Sequence, residues 1–151
     1  MVLACEVLVM MAEEIKDITE SSVSESFIET VLKRLDSFGC SLNNEGFAIA
    51  FCIKKVEQTI TNECNTSVIP SGLTSHAVDM VCGEFLTAKH KSGQLHLKEL
   101  DLDGALASVK IGNASVSFDN NTSDEGKLNV LIPALRSSGR SEFACYRQLR
   151  W

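Results

Sequence analysis

Three segments of the chain repeat apolar residues at the spacing of an amphipathic helix, and this periodicity most constrains the fold. The clearest is SVSESFIETVLKRLDSFGC, residues 22–40. Its apolar side chains recur every three or four positions, at Phe27, Ile28, Val31, Leu32, Leu35 and Phe38. Ser24 is suited to cap the start of a helix here, and Gly39 is suited to end it. The segment is therefore predicted to be helical.

Two further segments carry the same period. Residues 43–65 are predicted to form a helix that starts after Asn43 or Asn44 and ends at Asn65. Its buried side is predicted to carry Phe47, Ala50, Phe51, Val56, Ile60 and Cys64. Residues 73–93 are apolar on most sides, which favours a central helix packed against several neighbours. Gly83 inside this segment costs about 1 kcal/mol relative to Ala, so we expect another backbone to approach closely there.

A last helix is predicted over KLNVLIPALRSSG, residues 127–139, where Pro133 either kinks the helix or marks a new first turn. The fold class is therefore mainly α. We expect a small bundle of about four helices, with a β-hairpin or extended loop near residues 107–119. One domain, residues 24–140, is expected to hold this bundle. A chain of 151 residues can bury a core without metal or disulfide staples.

Residues 1–23 are expected to form an N-terminal extension that is partly flexible. Its apolar run is short and interrupted by Glu6, so it matches neither a signal peptide nor a membrane span. Met10 and Met11 offer alternative start sites for the natural protein. Otherwise the first ten residues are expected to be a flexible extension or to pack on a neighbour.

The period changes from helical to alternating within ASVKIGNASVSFD, residues 107–119. Val109, Ile111, Val116 and Phe118 fall on one face, and Gly112-Asn113 can form a two-residue turn between them. This pattern predicts a β-hairpin. Because an isolated hairpin is marginal in water, it is expected either to pack on the helices of the bundle as a cap or to contact a neighbouring subunit by pairing with its strands.

The residues that carry most chemistry show no arrangement typical of an enzyme or a metal site. His76, His90 and His96 lack metal-ligand spacing, and no nucleotide-binding glycine motif occurs. The acids of KELDLDG, residues 98–104, lack the calcium-loop pattern, which favours a solvated loop. The six cysteines form no CxxC pair, which favours free thiols and a reducing compartment. We therefore predict a protein that is not an enzyme and has no cofactor, with no catalytic and no metal-binding residues.

Charge is distributed unevenly along the chain, whose net charge is −6. Residues 1–38 hold eight acids against three basic residues, whereas residues 136–151 hold four arginines against Glu142 alone. The acidic excess argues against nonspecific coating of nucleic acid. Residues 141–151, SEFACYRQLRW, are predicted to be a C-terminal docking arm, because aromatic and arginine side chains dominate interface energetics. Its candidate contacts are Phe143, Tyr146, Arg147, Leu149, Arg150 and Trp151. The alternative is that its aromatic residues fold back on their own core.

Three segments, taken in order, resemble a known family. IPSGLTSHAVDMVCGEFL, LASVKIGNASVSFD and FACYRQLRW follow one another as in the head–tail connector (adaptor) proteins of tailed double-stranded DNA bacteriophages. The hairpin segment and the CYRQLRW ending are the more specific parts. The resemblance covers roughly residues 24–151.

The resemblance implies a structural role in the neck of a virion, between capsid and tail, after assembly in the host cytoplasm. It implies a ring of subunits, usually a dodecamer, that links the portal protein to the next neck, stopper or tail-completion protein. DNA would pass through the channel without sequence-specific binding, and no membrane would be involved. Two other roles remain open: a phage DNA-binding packaging or regulatory protein that uses the C-terminal arginines, and a different neck component such as a stopper.

Overall fold

The computed structural model describes residues 5–42, 44–109 and 122–149, and within these ranges the chain is a bundle of helices. Six helices there have seven residues or more: α1 Cys5–Thr19, α2 Glu25–Ser37, α3 Gly46–Cys64, α4 Thr74–Lys91, α5 Leu102–Ser108 and α6 Asp124–Arg136. The last element is a four-residue helix, α7 Phe143–Tyr146. Short 3₁₀ turns precede α4, α5 and α7, at Ser71–Leu73, Leu97–Glu99 and Arg140–Glu142. The same ranges contain no strand. The mainly α fold is confirmed, whereas the expected number of about four helices is wrong.

The helices begin and end where local chemistry places their caps. The Ser24 hydroxyl accepts a hydrogen bond from the Phe27 amide at 3.2 Å, which satisfies one of the free amides at the start of α2. Gly39 has a φ of 84° just after that helix, a conformation that side chains disfavour. Asn65, with a φ of 54°, closes α3 in the left-handed region that Asn tolerates. These three predicted boundaries are confirmed.

Helix α4 lies at the centre of the bundle and packs against α2, α3 and α6. Its buried residues surround most of its axis: Ala77, Val78, Met80, Val81, Cys82, Gly83, Phe85 and Leu86. The prediction of a central helix is confirmed, and the reason is that a helix apolar on most sides must be covered on most sides.

Gly83 is a point of close approach between α4 and α6. A Cβ atom at Gly83 would lie 2.9 Å from the Arg136 backbone nitrogen and 2.9 Å from Leu135 Cβ. The predicted close approach of a second backbone is therefore confirmed. Pro133 lies inside α6, in its last turn, rather than at the start of a new helix.

Residues 5–19 of the segment predicted as a partly flexible extension form α1, which packs against α2 and α3. Its face of Leu8, Ala12, Ile15 and Thr19 is buried. The spacing of these residues, four, three and four positions, is the helical stripe that covers a core. This part of the expected extension therefore belongs to the bundle.

The predicted hairpin lies mostly outside the described residues. Residues 107 and 108, at its expected start, belong to the last turn of α5 instead, and Val109 follows in an extended conformation against the core. Residues 110–119 fall outside the described ranges. The segment 98–104, expected to be a solvated loop, instead contains the end of the 3₁₀ turn Leu97–Glu99 and the start of α5. Asp101 caps α5, because its side chain accepts a hydrogen bond from the Gly104 amide at 3.1 Å.

Candidate functional site

The C-terminal segment is bound to the end of α3 through residues 143–148. The Gln148 amide donates to the Cys64 carbonyl at 2.8 Å, and Arg147 Nε donates to the Glu63 carbonyl at 3.0 Å. The Asn65 side-chain amide in turn donates to the Gln148 carbonyl at 2.9 Å. The last carbonyls of a helix have no partner within it, so the segment satisfies groups that would otherwise face water.

Two aromatic residues of the same segment pack on the core. Phe143 is 1% exposed, and its carbonyl accepts from the Cys64 thiol at 3.7 Å. Tyr146 is half-buried against the turn at Gly72, where any Cβ atom would overlap the tyrosine hydroxyl. Phe143 and Tyr146 therefore follow the alternative in which the aromatic residues fold back on their own subunit.

The other predicted contact residues divide into three groups. Arg147 is exposed apart from its bond to α3, and Leu149 is 77% exposed. Val109 is half-buried against the core. The remaining predicted contacts lie outside the described residues: Ile111, Val116, Phe118, Arg150 and Trp151. The docking role of this set stays a prediction.

Helix α3 presents two phenylalanines to solvent, contrary to the prediction that they are buried. Phe47 is 73% exposed and Phe51 is 65% exposed. The other four predicted positions, Ala50, Val56, Ile60 and Cys64, are buried as predicted, and Ile49 and Ile53 are buried in place of the two phenylalanines. Since successive residues turn by about 100°, Phe47 lies on nearly the opposite side from Ile49. The stripe of isoleucines was the sequence signal that could have revealed this exposure.

An apolar surface continues from these phenylalanines onto α1. Val7, Met10 and Ile18 of α1 are 42%, 69% and 42% exposed. A groove of about 380 Å³ lies between one side of α1 and the start of α3, and it is lined by Val7, Met11, Glu14, Ile18, Leu42, Asn44, Gly46 and Phe47. We call the exposed apolar side chains Val7, Ile18, Phe47 and Phe51, with this groove, the Phe47 face. No sequence prediction identified it.

Helix α1, which forms one wall of the groove, carries exposed carboxylates, and Glu14 lines the groove itself. Glu6, Glu13, Glu14 and Asp17 of α1 are all exposed. Within the described ranges, no carboxylate of α1 forms an ion pair. The face therefore combines apolar side chains with the carboxylate of Glu14 in its groove. Lys54, three positions after Phe51 and seven after Phe47, lies on the same side of α3.

The basic residues near the C-terminus are held differently. Arg136 Nε donates to Glu84 at 3.0 Å, and Arg140 lies 3.7 Å from Glu63. Burial alone would raise the pKa of Glu84, but hydrogen bonds from Lys55 and Arg136 outweigh it and hold the pKa below its usual value. Arg147 pairs with a backbone carbonyl and with no carboxylate in the described part of the chain.

Two histidines have ordinary structural partners. His76 lies 2.9 Å from the Ser138 hydroxyl through Nδ1 and 3.3 Å from Glu142 through Nε2. His90 Nε2 lies 3.0 Å from Glu125. Among the described residues, no cluster of three or more His, Cys, Asp or Glu side chains could hold a metal ion.

All six cysteines are free, as predicted. Burial raises the pKa of the Cys40 thiol to about 12 and that of Cys52 to about 11. A thiol is reactive as its thiolate, so these buried groups are inert hydrophobic side chains. Cys5 and Cys145 are exposed.

One carboxylate is buried without full compensation. Glu57 is 7% exposed, and its Oε1 accepts hydrogen bonds from the Ser22 amide and hydroxyl. Its Oε2 is buried and has no partner in the described part of the chain. The hydrogen bonds between Ser22 and Glu57 hold the segment that joins α1 and α2 against α3.

No helix in the described ranges has the length and apolar character needed to cross a membrane. Comparison of the chain with protein-family models, with curated proteins and with solved structures finds no match to any of them. The likeness to phage head–tail connectors therefore depends on the three quoted sequence segments alone.

Proposed function

We propose that the protein is a structural head–tail connector of a phage neck. Its subunits assemble into a ring that joins the portal protein to the next neck or tail-completion protein and surrounds the DNA channel. The activity is assembly, without catalysis or a cofactor. The three segments that resemble this family supply the identity of the proposed partners, and the Phe47 face is the structural observation that supports an assembly role.

The Phe47 face has the character of a surface that a protein partner covers. Contiguous exposed apolar side chains on a soluble domain mark interaction sites more often than isolated ones do. Phenylalanine and methionine are enriched at the centres of interfaces, and charged residues stay at the rim. The Phe47 face has this character, because its exposed side chains are aromatic and aliphatic and Glu14 is the one charged residue among the described residues that line its groove.

The C-terminal segment supplies the second contact in this proposal. Residues 143–148 act as a base that fixes the segment to α3, and residues 149–151 are the proposed contact with the portal protein or with an adjacent subunit. Leu149 is 77% exposed, and Arg150 and Trp151 are residue types that dominate interface energetics. Phe143 and Tyr146 contribute by holding the base in place.

Electron microscopy of the protein mixed with the portal protein of the same phage tests this function. We expect ring-shaped particles attached to the portal, and we expect deletion of residues 149–151 to abolish the attachment. The matched control is Val68→Ser, which alters another exposed apolar residue and should leave attachment intact. Absence of any complex between the full chain and the portal would contradict the proposal.

The DNA-binding alternative makes a different prediction for the same preparation. A packaging or regulatory protein would bind DNA with an affinity that falls steeply as salt rises and that depends on Arg147 and Arg150. Strong DNA binding of this kind, without portal binding, would favour the alternative.

A further inference from the structure

We infer that the Phe47 face binds the C-terminal end of a second copy of this chain. The inference rests on the proposed ring assembly and names the surface through which one subunit holds the next. Its elements are the apolar side chains of α1 and α3 at one place on the molecule and residues 147–151 at another.

The two surfaces lie at opposite ends of one rigid element. Phe47 is in the first turn of α3, and Glu63, whose carbonyl anchors Arg147, is in its last turn. Sixteen residues at about 1.5 Å per residue place these positions about 24 Å apart along the helix. A subunit cannot bring its own residues 147–149 to its own Phe47 face while they remain bound to α3. Complementary surfaces that are separated in this way connect different copies head to tail, and such contacts close into rings or extend as filaments.

The charges of the two surfaces are opposite. Helix α1, which forms one wall of the groove, carries the exposed acids Glu6, Glu13, Glu14 and Asp17, of which Glu14 lines the groove. None of the four has an ion-pair partner among the described residues. At the other end of α3, Arg147 forms no ion pair in the same ranges, and the sequence carries Arg150 three residues later. Complementary charge orients the two copies and speeds their encounter.

Charge also argues against the symmetric alternative. In a two-fold contact the same patch meets itself, so two Phe47 faces would bring the carboxylates of two α1 helices together. Like charges placed opposite each other disfavour association. The head-to-tail contact avoids this repulsion.

The apolar parts of the two surfaces also match. Leu149 presents a 77% exposed aliphatic side chain, and Trp151 is the only tryptophan of the chain. The groove beside Phe47 has a volume of about 380 Å³ and apolar walls from Val7, Met11 and Ile18. A groove of this size is within the range of sites that bury a large side chain or a small ligand.

Two variants of the full chain test the contact by complementation. The first, Phe47→Ser with Phe51→Ser, disables the Phe47 face. The second, deletion of residues 149–151, disables the C-terminal end. Both altered sites are exposed or lie beyond the anchored segment, so thermal melting should show that both variants fold; Val68→Ser is the control for loss of an exposed apolar residue. Analytical ultracentrifugation measures the mass of each variant alone and in an equimolar mixture.

We expect the wild-type chain and Val68→Ser to assemble, and each of the two variants alone to remain monomeric over the same concentrations. An equimolar mixture should form a 1:1 dimer and nothing larger, since it contains one intact face and one intact C-terminal end. The self-association of Phe47→Ser alone should be weakened about 30-fold or more, the factor that corresponds to loss of an aromatic interface anchor.

Three results would overturn the inference. Assembly of the Phe47→Ser, Phe51→Ser variant at wild-type strength would show that the face is not the contact. Continued assembly of the deletion variant would show that the face binds something other than the C-terminal end. If the wild-type chain binds the portal but stays monomeric both in solution and on the portal, the contact between copies is rejected. Portal binding would still stand in that case, so this result distinguishes failure of the inference from failure of the proposed function.

Discussion

Substitution of Gly83 by alanine sets two effects of opposite sign against each other. On helix propensity alone, alanine at this interior position of α4 should stabilise the protein by about 1 kcal/mol. The added methyl group, however, would lie 2.8 Å from Arg136 Cγ and 2.9 Å from the Arg136 backbone nitrogen. The side chain of Arg136 can move, but its backbone nitrogen belongs to α6, so the two helices must separate.

The steric effect should prevail. Overpacking of a tight core contact costs about 1–3 kcal/mol, and contact with backbone favours the upper part of that range. After the gain in propensity, Gly83→Ala should reduce the free energy of unfolding by about 1–2 kcal/mol. For a domain of this size, such a loss lowers Tm by about 2–8 °C.

Calorimetry or circular dichroism on both proteins checks this value. Gly46→Ala is the matched control, because a Cβ atom there would meet its nearest neighbour at an ordinary 3.8 Å. The control should leave Tm unchanged or slightly raised. A rise in Tm for Gly83→Ala would refute the close approach of α4 and α6 and the packing derived from it.

Three other predictions follow from single contacts. Gly72→Ala should displace the Tyr146 ring, whose hydroxyl the new methyl group would overlap, and should increase proteolysis of the C-terminal segment without unfolding the bundle. Because folding lowers the pKa of Glu84, the ionised carboxylate stabilises the protein above its unfolded pKa of about 4.5, and this stabilisation is lost as pH falls through the folded pKa. Glu84→Gln should therefore make the free energy of unfolding depend less on pH in the acid range. Denaturant unfolding between about pH 3 and 6 measures this dependence. A thiol reagent at pH 8 should modify Cys5 and Cys145 rapidly and the four buried cysteines only on unfolding, and rapid native modification of Cys40 or Cys52 would contradict their burial.

Most of the helices could be predicted from local signals in the sequence. Ser24, Gly39 and Asn65 mark helix ends through chemistry that depends on only a few neighbouring residues, and the structure uses all three. The close helix contact at Gly83 could also be predicted from the sequence, because a glycine inside an apolar helix needs a compensating close contact. Helix α1 was not predicted, although the stripe of Leu8, Ala12, Ile15 and Thr19 that it buries has helical spacing.

The candidate site was harder to predict because it depends on which side of a helix its neighbours cover. Helix α3 has two apolar stripes, one with Phe47 and Phe51 and one with Ile49 and Ile53, and only the packing of α1 and α4 decides between them. The sequence predicted that the C-terminal segment makes contacts, but it could not show which of its residues bind their own subunit. Gln148 and Arg147 do so because they satisfy the free carbonyls of α3, which is a tertiary contact.

Electron microscopy of the full-length protein bound to its portal tests the central claim most directly. We expect a closed ring of subunits on the portal, with residues 149–151 of each subunit in the groove between α1 and α3 of the next. Isolated monomers, with no ring and no portal complex at concentrations where phage necks assemble, would contradict the account.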